Sequence, residues 1–206
     1  MSNLATTNGT QAGTTADRIR SAAQNLFLSR NYADVTLDQI ADSARLTKGA
    51  IYHHFSSKED LYLAMMSADF EEKQKLFTAA IDEGRSGRDR LRRLTLAFFQ
   101  LPRSKRELIR LVRRDAPSLR EPVRARLVRA YQKTLPHPIT QVLQEGIRKK
   151  EVACPDPQLA AWHFVAMVEV LLSRYADRVF KTTEQKVEYV LDLFFCGAGP
   201  ARKATS

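Results

Sequence analysis

The chain is predicted to be all-α, and three observations carry that prediction. Apolar residues recur at three- and four-residue spacing along most of its length, no stretch alternates apolar and polar residues as a half-buried strand does, and prolines and glycines punctuate the periodic segments. At 206 residues and 44% apolar, the sequence can bury a core of its own.

Residues 1–13 hold almost nothing to bury and are expected to form a disordered tail. The first helix is expected to begin near Thr14 or Thr15. Thr14 with Asp17 three residues on makes a capping box, and Ile19, Ala22, Ala23, Leu26 and Phe27 form one apolar face. Asn31, which tolerates the left-handed conformation, is expected to stop this helix. Tyr32 and Val35 would then fold the chain back over the next two helices.

Of these two, the first carries Leu37, Ile40, Ala41 and Ala44 as one apolar stripe and is capped by Thr36. The second comes almost at once, with Thr47 as its cap. There Ala50 and Ile51 would pack inward, leaving Lys48, Gly49, Tyr52 and His53 facing out. Two helices of about two turns each, joined by a turn around Arg45 and Leu46, have the proportions of a helix-turn-helix. The outward groups suit DNA. Lys48 and Lys58 offer charge to phosphates, Thr36 and Thr47 offer hydroxyl protons, and Gly49 permits close backbone approach.

This order of residues, from Thr36 through Ile40-Ala41, Ala44, Thr47-Lys48-Gly49, Tyr52, His54-Phe55 and Lys58 to Leu61, resembles the tetracycline-repressor (TetR) family of bacterial one-component transcriptional regulators. The resemblance covers the N-terminal quarter of the chain closely. It implies that Thr36, Thr47, Lys48, Tyr52 and Lys58 contact the DNA backbone and that Gly49 and His53 reach bases. One position departs from the family. Its turn usually carries glycine where this sequence has Arg45, and a positive φ there would cost about 1 kcal/mol.

Beyond this segment, Ser56-Ser57-Lys58-Glu59 is a second S-x-x-E cap. It should start a helix through Leu61, Met65, Leu76, Phe77 and Ile81 that ends at Gly84, about 40 Å long. Such a helix would be the natural lever between the DNA-reading segment and the rest. Three further helical segments are expected, Arg88–Leu101, Ser104–Asp115 and about Glu121–Glu151, with Pro102 and Pro117 at the first two boundaries. The third should bend or break at Leu135-Pro136-His137-Pro138. Gly146 weakens its end, and Arg148, Lys149 and Lys150 suit its last turn.

Two final helices are expected at about Gln158–Phe180 and Thr183–Cys196. The run LAAWHFVAMVEVLL in the first is apolar nearly all round, so a partner subunit is the economical cover for its second face. Val168, Leu172, Val190 and Phe194 are the residues expected at that dimer interface. In the family this region forms a four-helix interface between two subunits. The domain organisation read from the sequence is therefore a tail (1–13), a helix-turn-helix DNA-binding domain (14–58), a helical effector-binding and dimerisation domain (59–197) and a second tail (198–206).

Charge qualifies the DNA reading. The net charge is +10, yet residues 1–60 carry six basic and six acidic groups, whereas residues 85–150 carry nineteen basic against five acidic. The excess lies on the helices that, by resemblance, surround an effector cavity. An apolar chain or ring with an anionic head would use both features, and acyl-coenzyme A esters fit, with Arg110, Arg113 and Arg114 as candidate anion-binding groups. Phe98, Phe99, Leu111, Tyr131, Trp162 and Met167 are the bulky groups that could line the cavity. A solvated basic surface is the alternative for the arginines, in which case a neutral or cationic drug, as in efflux-gene repressors, or a protein partner would be the signal.

Enzyme chemistry finds no support. His53 and His54 diverge by about 100° on a helix, His163 lies on an apolar helix, no glycine-rich phosphate loop appears, and Cys154 and Cys196 are too few and isolated for a zinc site or disulfide framework. No metal or cofactor is expected. The longest apolar run, Phe164 to Leu172, is interrupted by Glu169 and is too short to span a membrane. The N-terminal residues do not read as a signal peptide, so the cytoplasm is the expected compartment. The reading is a homodimeric regulator that binds a palindromic operator and releases it on binding a small molecule; repression is the commoner mode in the family.

Overall fold

The computed structural model describes residues 14–198, with side chains described through Phe195. These residues form eleven α-helices and two short 3-10 turns, and no strand occurs among them. The expected tails therefore lie outside the described residues, apart from Ala198 at the end of the last helix. The chain divides into two compact units, with the boundary between Tyr62 and Leu63. That is a few residues later than the sequence pattern placed it, because Leu61 and Tyr62 are fully buried and Tyr62 packs edge-on against Phe27 and Tyr32 at 4.9 and 5.1 Å.

The first unit is built on α1 (Thr15–Ser29), α2 (Leu37–Ala44) and α3 (Lys48–His54). Thr14 and Asp17 form the expected capping box on α1. Asn31 does not stop that helix. Arg30 already has extended backbone at the C-cap, and Asn31, with φ −67° and ψ 153°, begins a 3-10 turn over Tyr32–Asp34 while its side-chain amide donates to Asp34. Arg45 closes α2 at φ 54°, ψ 49°, the left-handed geometry that a glycine would adopt freely. Arg45→Gly should therefore raise thermal stability slightly, by roughly 0.5 kcal/mol, as relief of the strain outweighs the entropy that glycine adds to the unfolded chain. A loss above about 1 kcal/mol on thermal melting would mean that the arginine side chain itself holds the turn.

The long helix α4 (Lys58–Asp82) starts one residue later than the S-x-x-E pattern implies: Ser57 Oγ accepts from the Asp60 amide at 3.0 Å, and Asp60 in turn accepts from the Ser56 amide. Its inner face also departs from expectation. Leu76 is exposed, whereas Lys73, on the same side as Phe70 and Phe77, is fully buried and pairs one turn back with buried Asp69.

The second unit continues with α5 (Gly87–Gln100), α6 (Arg103–Asp115), α7 (Val123–Thr134) and α8 (Pro136–Arg148). The break at Leu135 falls where the two prolines required it, with Pro136 at the first position of α8. Gly146 does more than weaken a helix end. Val152 folds back over it, its amide donating to the Gly146 carbonyl at 3.3 Å, so that an added Cβ would lie 2.9 Å from the valine side chain. Lys149 caps the helix and pairs with Glu145, and Arg90 pairs with the same carboxylate, holding it down at a pKa of about 2.

The expected helix Gln158–Phe180 is two helices. α9 (Pro157–Val170) tightens into i→i−3 bonds at Leu171, Leu172 and Ser173, and the Ser173 hydroxyl then accepts from the Ala176 amide to start α10 (Arg174–Val179). A serine that offers the backbone a cap competes with continuation of the helix. The last helix is α11 (Thr183–Ala198). Val187, Val190, Leu191 and Phe194 bury its inner face, with the Phe194 ring edge-on to Phe164 at 5.0 Å.

Candidate functional site

In the first unit, six of the seven candidate DNA-contacting residues, on α2–α3 or at their caps, are exposed. Thr36 and Thr47 are exposed caps whose hydroxyl oxygens accept from the Gln39 and Ala50 amides, each at 3.2 Å, which leaves both hydroxyl protons available. Tyr52 is 52% exposed and His53 is exposed, its ring edge-on to His54 at 5.2 Å. Behind this surface Ile51 is fully buried, as the helical period required.

Lys48 is exposed but not isolated. Its ammonium donates to Asp38 at 2.9 Å, and that bond raises its pKa. The pair holds the lysine across from α2 and lets a phosphate compete for it. Gly49 is informative by what does not touch it: a Cβ there would meet only the Thr47 hydroxyl, at 3.8 Å. Nothing inside the protein requires glycine at this position.

Lys58 is the seventh candidate, and it is half-buried and engaged inside the unit. Its ammonium donates to the carbonyls of Tyr32 and Val35, both at 2.8 Å, and lies 4.2 Å from the centre of the Tyr32 ring. Partial burial lowers its pKa. The side chain ties the Tyr32–Val35 connection to the start of α4.

An apolar gap of about 20 Å³, room for one water, lies among Leu94, Phe98, Ile109, Leu135, Phe164 and Val165. A drug-sized ligand needs several hundred Å³. Of the candidate effector residues, only Phe98 lines this gap. Phe99 and Leu111 are buried elsewhere, Phe99 beneath the cations of Arg106 and Lys186.

The three candidate arginines are all engaged. Arg114 grips Asp115 with two hydrogen bonds of 2.7 and 2.8 Å. Arg113 pairs with Glu169 at 3.2 Å, and Arg110 donates to the Glu169 carbonyl at 3.2 Å. Tyr131 donates to the same carboxylate at 3.5 Å and packs on Trp162 with ring centres 5.8 Å apart. Burial raises the pKa of Glu169 and that of Tyr131. Arg110 and Arg113 thus converge on one half-buried glutamate while both stay exposed to solvent.

Sequence reasoning missed a second basic cluster. Arg129, Lys133 and His137 succeed one another at helical spacing across the α7–α8 break and line an open groove of about 490 Å³ with Gln132, Gln158 and Trp162. The spacing was visible in the sequence. What was not visible is which of the many basic residues lack an acidic neighbour.

The expected dimer residues need correction. Val168, Val190 and Phe194 are at most 8% exposed within the single chain and so belong to the subunit's own core, whereas Leu172 is half-buried. The free apolar groups on α9 and α11 are instead Leu159, Val170, Tyr189 and Leu193, each at least 50% exposed. An open groove of about 610 Å³ runs beside Leu159, His163, Met167 and Leu193. Among the described residues no cluster of His, Cys, Asp and Glu could hold a metal ion, and no helix is long and apolar enough to cross a membrane.

Comparison with known proteins agrees with this architecture. The family model for bacterial regulatory proteins of the tetR family matches residues 19–65, and that for the tetracyclin repressor-like C-terminal domain matches residues 71–179. The HTH-type transcriptional activator FasR of Mycolicibacterium smegmatis is 37% identical over 78 residues, covering 38% of this chain and 36% of FasR. The chain spans between 30% and 48% of the length of the first curated relatives it matches. Among solved structures, a tetR-family regulatory protein from Rhodococcus superposes with a TM-score of 0.78 at 21% identity, over 93% of this chain and 100% of the other. FadR from Bacillus subtilis, solved with stearoyl-CoA, superposes with a TM-score of 0.73 at 18% identity, over 88% and 98%.

Proposed function

Because this chain belongs to the tetR family of bacterial regulatory proteins, which bind DNA and are not enzymes, we propose that it is a ligand-responsive repressor. As a cytoplasmic homodimer it reads a palindromic operator through α2 and α3, and it lets go when a small molecule occupies the second unit. The half-sites lie about one helical turn apart, roughly 34 Å. Thr36, Thr47, Lys48 and Tyr52 hold the DNA backbone, and Gly49 and His53 approach the bases. The effector is an anionic amphiphile of the acyl-coenzyme A type, the class to which the ligand of the FadR complex belongs.

The observation that carries the DNA reading is Gly49. A glycine in the first turn of a helix is less favourable than alanine, and here no internal contact repays it. It is explained if something from outside lies against the backbone. Gly49→Ala is therefore expected to raise the melting temperature while weakening operator binding. Lys48→Ala should weaken binding to every DNA and lower the salt slope by about 1, as one phosphate contact is lost. Fluorescence anisotropy with an operator fragment at several salt concentrations reads both effects. Unchanged affinity in Gly49→Ala, Lys48→Ala and Tyr52→Ala together would remove this surface as the DNA-reading element. Transcription in vitro from the operator promoter tests the sign: repression requires transcript to fall as the protein is added.

A further inference from the structure

Most of the basic residues of α5 to α8 are neutralised by carboxylates. Arg88, Arg92 and Arg93, for example, pair with Glu188 or Asp89, and Arg90 and Lys149 pair with Glu145. Around the groove between α7, α8 and the start of α9 the pattern changes. Arg129, Lys133 and His137 have no carboxylate partner among the described residues, and no acidic side chain lines the groove. Its other polar groups are the carboxamides of Gln132, Gln144 and Gln158, which both donate and accept. Trp162, half-buried, supplies an aromatic surface. Unpaired cations, carboxamides and an indole around about 490 Å³ make a site for a phosphorylated, base-containing anion.

The groove is also one residue's thickness from the apolar core. Leu135 and Ile139 line the internal gap, while their neighbours Pro136 and Thr140 line the groove; on α9, Val165 faces the gap and Trp162 the groove. The wall between them is the α7–α8 break, where Pro136 and Pro138 have no amide hydrogens to bond back.

We propose that this groove binds the phosphate-bearing nucleotide head of an acyl-coenzyme A, with Arg129 and Lys133 on the phosphates and Trp162 against the adenine or the pantetheine, and that the acyl tail passes the α7–α8 break into the core beside Phe98, whose gap of about 20 Å³ has to widen to admit it. The proposal rests on the reading of the chain as an effector-responsive regulator and names the part of the second unit that recognises the effector's head. Arg113 and Arg114, already held by Glu169 and Asp115, are then not the headgroup anchors.

Trp162 is the only tryptophan of the chain, so its emission reports on the groove directly. Full-length protein without DNA is titrated with coenzyme A, octanoyl-coenzyme A and octanoate, in wild type and in Arg129→Ala/Lys133→Ala, whose targets are both exposed and leave the core intact. Coenzyme A alone should change the Trp162 emission of wild type, and octanoyl-coenzyme A should bind more tightly. The double variant should bind both coenzyme A compounds at least about tenfold more weakly, with a smaller salt dependence, while octanoate binding is unchanged. Arg129→Lys/Lys133→Arg should restore most of the affinity. Equal affinity of wild type and double variant for octanoyl-coenzyme A, or no response to coenzyme A at all, overturns the proposal. Operator binding by ligand-free wild type tests the regulator reading separately, since loss of one result leaves the other standing.

Discussion

Phe27→Ala is expected to cost the first unit about 3–5 kcal/mol, the range for truncating a fully buried phenylalanine whose neighbours close only partly over the void. Phe27 stacks on Tyr32 at 5.7 Å and meets Tyr62 edge-on at 4.9 Å, while Tyr32 and Tyr62 meet each other at 5.1 Å. The three rings join α1, the 3-10 turn and α4. Each aromatic pair adds about 0.5–1.5 kcal/mol beyond its buried area, so two pairs are lost with one side chain. A three-helix unit has few other large groups to compensate. Urea unfolding monitored by circular dichroism should show the loss, and operator affinity should fall with it because α2 and α3 are no longer held at a fixed angle. A cost under about 1 kcal/mol would mean that the ring cluster does not hold the unit together.

Leu193→Glu is expected to give a folded monomer that binds operator poorly. The leucine is 53% exposed in the single chain, so a carboxylate there disturbs nothing within the subunit; in a dimer packed through α9 and α11 it would be buried unpaired, at a cost of several kcal/mol. Phe194→Glu makes the contrast, because Phe194 is buried against Phe164 and its replacement should unfold the subunit itself. Sedimentation velocity with thermal melting separates the two outcomes. A Leu193→Glu protein that sediments like a dimeric wild type would show that this face is not the interface. Leu159→Glu, on the neighbouring helix and 52% exposed, should behave as Leu193→Glu does.

Features that depend on neighbours along the chain are legible from residue order alone. Caps at Thr14, Thr36 and Thr47, the inward face of Ile40, Ala41 and Ile51 and the break at Leu135-Pro136 are all consequences of bonds within about four residues, and each stands where those bonds required it. Features that depend on distant partners wait for the folded chain. That the Lys58 ammonium also holds the carbonyls of Tyr32 and Val35, each at 2.8 Å, is one such feature. Val190 and Phe194 read as interface residues because periodicity tells that a side of a helix is apolar, not whether its own chain or a second copy covers it. Nineteen basic residues look alike in a row. The fold gives Arg113 and Arg114 carboxylates to hold and leaves Arg129 and Lys133 with none among the described residues, because ion pairing is settled by which helices lie side by side.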